Sequence, residues 1–155
     1  MSSRGWTAVD LDGTLARAED GNRAFGHGYV GPPVPAMLQR VKRWLAEGRD
    51  VRILTARVSS ANASDLVAES RAAIEAWCLT HVGQVLPITA EKDYAMVELW
   101  DDRAVTVVVN TGEPLEEAVH RAAHKAMLRE VVKMEAQYGE SLAFDHLTNY
   151  LAGSL

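Results

Sequence analysis

One cysteine, Cys78, is all the chain contains in 155 residues, so no internal disulfide framework is available to it. That usage suits a reducing compartment, and a cytoplasmic location is the expectation. Cys78 shares a helical face with Ile74 and Trp77, which reads as core rather than as a nucleophile. No apolar run approaches the length that spans a bilayer, and the first six residues hold no hydrophobic signal core. No partner membrane is therefore expected. Lysine-rich tails, low-complexity linkers and internal repeats are absent as well. The net charge of −5 speaks against broad non-specific nucleic-acid binding. No cluster of histidine and cysteine has the spacing of a zinc site.

What is present is ordinary in bulk and specific in detail. Apolar content of 48% and charged content of 24% fit a globular protein with one sizeable core. A short apolar run over residues 7–9 is followed by Asp10, Leu11, Asp12, Gly13 and Thr14. A strand there alternates its side chains, so Asp10 and Asp12 leave the sheet on one side of the chain. Gly13 lets the backbone turn sharply. Carboxylates this close repel each other, which stability alone does not favour. Together they suit a hard divalent cation and a division of nucleophile and acid duties.

The rest of the chain alternates strands with helices. Residues 16–32 hold four glycines and little apolar periodicity, and read as an irregular lobe. Val34, Met37, Leu38, Val41, Trp44 and Leu45 recur at helical spacing, with Gly48 as a stop. A β-branched strand over 50–57 ends in Thr55, Ala56 and Arg57. A long helix follows over 59–81, its inner face carrying Leu66, Val67, Ile74, Trp77 and Cys78. Further strands are expected over 85–88, 96–100 and 104–109, the first of them bent by Pro87. Beyond Gly112 the chain reads as helix, with Glu113, Glu116 and Glu117 near its start, where negative charge is favoured.

This order predicts an α/β fold: a Rossmann-like three-layer sandwich with a mainly parallel sheet and a helical C-terminal extension. The expected division is a core over 1–112 and an extension over 113–155. Sheets of this type bind ligands beyond the carboxyl ends of their strands, where Asp10, Thr55 and Asp101 each fall.

Four pieces of the chain, taken in order, resemble the haloacid dehalogenase-like phosphohydrolases. They are Asp10-Leu11-Asp12-Gly13-Thr14, the strand end at Thr55, Lys92 within Glu91-Lys92-Asp93, and Leu99-Trp100-Asp101-Asp102-Arg103. The resemblance implies a phosphomonoesterase in which Asp10 attacks phosphorus and forms an aspartyl-phosphate. Asp12 would then protonate the leaving oxygen and activate water. Thr55 and Lys92 would complete the catalytic set, with Gly13, Thr14, Thr55, Ala56, Arg57 and Lys92 around the phosphate. The implied cofactor is Mg²⁺, held by Asp10, the main-chain carbonyl of Asp12, and Asp101 or Asp102. Oxygen donors favour that ion over zinc.

Neither gap between these pieces has room for a cap domain, which resembles the capless branch of the family. An open site suits a phosphorylated small molecule or a polymer end. The Asp-Asp-Arg ending is also similar to the phosphatase half of polynucleotide kinases and to small phage-borne members. A nucleotide or polynucleotide 3′-end phosphatase is thus an alternative, and a silent phosphate-binding module is one from another class. Arg23, Phe25, His27 and Tyr29 could line the lobe. Met127, Val131, Met134 and Tyr138, flanked by Leu128 and Val132, form a helical stripe that packs on its own domain or joins a homodimer.

Overall fold

The structure, a computed structural model, describes residues 5–18 and 27–138. Arg23 and Phe25, the side chain of Tyr138 and the extension beyond it lie outside the described residues. Four strands form one all-parallel sheet: β1 (Trp6–Asp10), β2 (Asp50–Leu54), β3 (Ile88–Thr89) and β4 (Met96–Trp100), in the order β3-β2-β1-β4. The helices are α1 (Pro35–Ala46), α2 (Ser64–His81) and α3 (Leu115–Tyr138). The Rossmann-like α/β architecture with a C-terminal helix is therefore the one expected, and among the described residues no further element is inserted as a cap.

Pro35 opens α1, where its fixed φ suits the helix and its missing N–H leaves no partner unmet. The helix ends in a Schellman arrangement. Arg49 N–H donates to the Trp44 carbonyl at 2.9 Å and Gly48 N–H to that of Leu45 at 3.0 Å, with Gly48 at φ +77. The sheet register then decides what the helices cover. Val9 pairs with Ile53 and Thr7 with Val51, so Val9, Val51 and Ile53 share one face. They pack with Met37, Val41 and Trp44 of α1 and with Ile74, Trp77 and Cys78 of α2. Both helices thus lie on one side, as right-handed crossovers running in one direction across the sheet require.

Trp6 and Ala8 are buried on the opposite face. The six residues joining β3 to β4 pass there. Asp93 accepts from Trp6 Nε1 at 2.7 Å and faces Arg52 at 3.7 Å, while Arg52 also sits over the Trp6 ring. The indole N–H is the largest influence holding the Asp93 carboxyl below its ordinary range.

The strand expected over 104–109 does not form, although the run is rich in valine. Val107 makes a single bridge to Pro114, Val108 N–H donates to the Glu113 carbonyl, and Leu115 N–H donates to that of Thr106. A local turn through Asn110 and Gly112 meets these backbone groups, so the run has no need of the sheet. The strand over 85–88 shortens to Ile88–Thr89, and the one ending at Arg57 stops at Leu54 before a single 3₁₀ turn, Ala56–Val58. The helix expected from 59 starts at Ser64.

Two compact units divide after Ala104. Within the second, α3 carries Glu116 and Glu117 in its first turn, and Glu113–Arg121 and Glu130–Lys133 are ion pairs, with His120 Nε2 3.8 Å from Glu116. Met127, Val131 and Met134 are half-buried, whereas Leu128 and Val132 are exposed. No helix of the described residues is long and apolar enough to cross a membrane.

The two faces differ in how much depends on single side chains. Ile53 is fully buried in the core cluster, so Ile53→Ala is expected to lower unfolding free energy by about 3 kcal/mol. Val132→Ala, at an exposed site, should change it by less than ~0.5 kcal/mol. Chemical denaturation of the two variants side by side checks both values.

Candidate metal centre and acid loop

The register that builds the core also builds the site. Asp10 ends β1 and pairs with Leu54, so Thr55 stands one residue beyond its cross-strand partner. Trp100 pairs with Val9, so Asp101 leaves β4 beside Asp10. Leu11 is fully buried in the core between two half-buried aspartates, which continues the strand's alternation into the loop. The loop is short and closed on itself. Leu15 N–H donates to the Asp10 and Leu11 carbonyls, Ala16 N–H to Leu11, and Gly13 N–H to Ala16.

Gly13 is required twice. Its φ of +98 lies in the region that side chains disfavour, and a Cβ there would stand 2.8 Å from Asp102 Oδ2. The carboxylate of Asp102 therefore occupies the space that glycine leaves. Thr14 completes the link: its hydroxyl accepts from Asp102 N–H at 3.1 Å and lies 3.4 Å from Asp102 Oδ1. The acid loop and the end of β4 are joined by side chains, not only by the sheet.

Asp10, Asp101 and Asp102 each present a carboxylate oxygen, all within 4.8 Å of one another. Asp10 and Asp101 are half-buried and Asp102 is exposed. The chemistry of this donor set fits a hard cation. Oxygens on one Mg²⁺ lie within about 4.2 Å of each other, and those on the larger Ca²⁺ within about 5 Å. Both aspartates of the doublet reach the cluster. Burial is the largest influence on Asp10 and raises its pKa from 3.8 to about 6. The Leu11 N–H bonded to it works in the other direction, while repulsion from Asp101, Asp102 and Asp12 adds to the rise.

Asp12 leaves the cluster for a different partner. Arg57 grips it in a two-pronged ion pair, Nε to Oδ2 at 2.7 Å and Nη2 to Oδ1 at 2.6 Å. The remaining prong, Nη1, donates to the carbonyls of Tyr29 at 2.6 Å and His27 at 3.4 Å. Arg57 is thus committed to protein groups instead of facing an open phosphate pocket. Thr55 is buried, and its hydroxyl accepts from Arg57 N–H at 3.3 Å as the cap of the 3₁₀ turn. Ala56 is exposed on the same turn.

Lys92, the expected countercharge, forms no ion pair with the acidic cluster. It is exposed on the stretch after β3, and among the described residues it forms no hydrogen bond or ion pair. Its neighbour Asp93 is drawn toward Trp6 and Arg52 instead. No lysine countercharge meets Asp10 in this arrangement.

Other contributors give little signal in sequence. Trp100, just before Asp101, packs against Trp44 of α1 in a tilted contact, ring centroids 5.2 Å apart and planes at 59°. Arg40 covers the outer ring face of Trp100 at 4.5 Å, and Arg49 lies 4.7 Å from Trp44. Arg49 also binds Glu98 at 2.5 Å and Thr7 at 2.8 Å. This ladder of cations and indoles fixes the last residues of β4 and so the start of the doublet. The return of the lobe is fixed in turn. His27 Nδ1 lies 3.0 Å from Ser70 Oγ, and Trp77 Nε1 donates to the Gly31 carbonyl at 2.8 Å. Ala16 bridges Pro33 at the lobe's base.

The raised Asp10 pKa sets a pH dependence. The folded protein binds this proton more tightly than the unfolded chain, so the contribution to stability is complete below about 3.8. It is lost as pH rises through about 6. Asp10→Asn in EDTA is expected to remove that decline and to raise the neutral-pH melting temperature by about 2–4 °C. Thermal unfolding from pH 4 to pH 8 checks both; a lower melting temperature in the variant would contradict the assignment of burial and repulsion.

No protein-family model matches the chain, and no curated protein matches it. A solved structure, that of the conserved protein coded by a locus from Bacteroides thetaiotaomicron, is similar over 79% of this chain and 91% of its own, at 16% identity and a TM-score of 0.41.

Proposed function

We propose that the protein is a divalent-metal-dependent phosphomonoesterase acting through an aspartyl-phosphate on Asp10. The observation that carries this reading is the meeting of Asp10 with Asp101 and Asp102 beyond the carboxyl ends of two adjacent parallel strands. Asp101 accepts from Arg103 N–H and Asp102 from the Thr14 hydroxyl, but neither bond brings a positive charge to offset the mutual repulsion. The three carboxylates would hold Mg²⁺, which supplies countercharge both to them and to phosphoryl oxygens. The resemblance of four ordered motifs to haloacid dehalogenase-like phosphohydrolases points the same way.

In this reading Asp10, ionised at neutral pH even with its raised pKa, attacks the phosphorus in line. A bond forms between its carboxylate oxygen and phosphorus as the bond to the leaving oxygen breaks. Asp12 gives that oxygen a proton. It then takes one from a water whose oxygen attacks the same phosphorus, releasing phosphate and the free Asp10 carboxylate. Each Asp12 oxygen keeps a second lone pair beside its bond to Arg57, so the acid can carry its proton within the pair. Thr55 donates its hydroxyl to a phosphoryl oxygen. Lys92 swings from the surface to the bound anion and supplies the charge that the resting site lacks.

A second reading draws on two of the same observations. The Asp12 carboxylate bound by Arg57 and the surface-exposed Lys92 favour a phosphate-binding module without turnover. Among substrates, a nucleotide or polynucleotide 3′ end is the narrower alternative, suggested by the ending Asp101-Asp102-Arg103.

The test is hydrolysis of an aryl phosphate with Mg²⁺, with EDTA, and by Asp10→Asn. Turnover that needs the metal and disappears in the variant is the expected result. Unchanged turnover in Asp10→Asn removes Asp10 as nucleophile, and saturable phosphate binding without any turnover favours the binding module. Lys92→Ala is expected to leave stability within about 0.5 kcal/mol. It should lower kcat/KM by about 10²–10³. Unaltered kcat/KM in that variant would take Lys92 out of the site.

A further inference from the structure

We propose that Arg57 is a positioning residue that couples the returning arm of the lobe, His27–Gly31, to the carboxylate of Asp12. Its role as positioner of an acid rests on the phosphatase reading; the mechanical coupling does not. One rigid guanidinium serves two elements whose backbones otherwise meet only farther along, at Ala16–Pro33, Arg17–Pro32 and Leu15–Val34 among the described residues. Nε and Nη2 hold Asp12, and Nη1 holds the carbonyls of Tyr29 and His27. A planar fork cannot release one of these partners without tilting against the other. The Arg57 side chain is only 13% exposed and that of Asp12 31%, so water competes weakly for the pair.

The anchorage of Arg57 makes the coupling stiff. It lies on the single 3₁₀ turn whose amide is capped by the buried Thr55, and Asn62 Nδ2 donates to its carbonyl at 3.2 Å. Across from it, the returning arm rests on α2 through His27–Ser70 and Gly31–Trp77. Pressure on residues 27–31 is therefore passed to Arg57 and on to Asp12. A substrate that touches this arm shifts the group that protonates its leaving oxygen, and substrate choice enters catalysis through Arg57.

The first test follows the backbone of the arm by amide relaxation in nuclear magnetic resonance, on the full chain. Asp12→Ala leaves Arg57, which donates to the carbonyls of His27 and Tyr29, chemically unaltered. It is nevertheless expected to lower the order parameters of Gly28, Tyr29 and Val30 from about 0.85 to below about 0.6. Arg57→Ala should do the same, and the double variant no more than either single one. Arg57→Lys, which keeps the charge but not the fork, covers the case in which an alanine variant fails to fold. Unchanged order parameters in Asp12→Ala overturn the proposal, since the arm is then held without help from the Asp12–Arg57 pair. The second test compares an alkyl phosphate with a nitrophenyl phosphate. Arg57→Lys should lose at least about tenfold more kcat/KM on the alkyl ester, whose leaving oxygen needs the proton. Equal losses overturn the positioning of an acid. Absence of any turnover in the unaltered protein would reject the phosphatase reading while the relaxation result still decides the coupling.

Discussion

Three carboxylates within 4.8 Å of one another, one of them pushed by burial and repulsion to a pKa of about 6, form the constraint around which this fold is arranged. Left to themselves, Asp10, Asp101 and Asp102 would separate into water. They stay together because each is fixed by something that has no alternative position. Asp10 ends the central strand, Asp101 follows a strand end pinned by the Trp100–Trp44 contact, and Asp102 fills the space over Gly13. The core thus supplies the free energy that holds an unfavourable charge cluster in place.

The same logic divides the two aspartates of the first motif. They are separated by one buried leucine and emerge on one side, yet their surroundings differ. Asp10 faces other carboxylates and lacks a cationic partner among the described residues, whereas Asp12 is matched by a guanidinium in a two-pronged pair. One is poised to gain from a cation and the other is already satisfied. Arg57 creates this difference and extends it to the backbone of the lobe. The acid loop, the 3₁₀ turn and the returning arm therefore act as one mechanical unit around a single side chain.

Much of this was legible in the residues, because it depends on periodicity and on chain-local chemistry. The α1 face of Met37, Val41 and Trp44 and the α2 face of Ile74, Trp77 and Cys78 follow from helical spacing, and both are buried. The convergence of Asp10 with the 101–102 doublet follows from strand ends in a parallel sheet. The valine-rich run at 104–109 misled because β-branched composition reports what suits a sheet, not whether a partner is free. Here the turn into α3 takes up its hydrogen bonds. Lys92 is less legible: its sequence position fits a countercharge, while its side chain is exposed and Asp93 beside it is drawn to Trp6 and Arg52.

By itself the sequence determined the alternation of strand and helix, the buried faces, and which acidic residues end which strands. These depend on spacing along one chain and on the side-chain period of each element. Tertiary structure alone decided who faces whom. It gave Asp12 to Arg57, seated Asp102 over Gly13, packed Trp100 against Trp44 and kept Lys92 at the surface. Such pairings are between residues 45 or more positions apart, and they depend on the relative heights of strands and on the reach of long side chains, which no local pattern encodes.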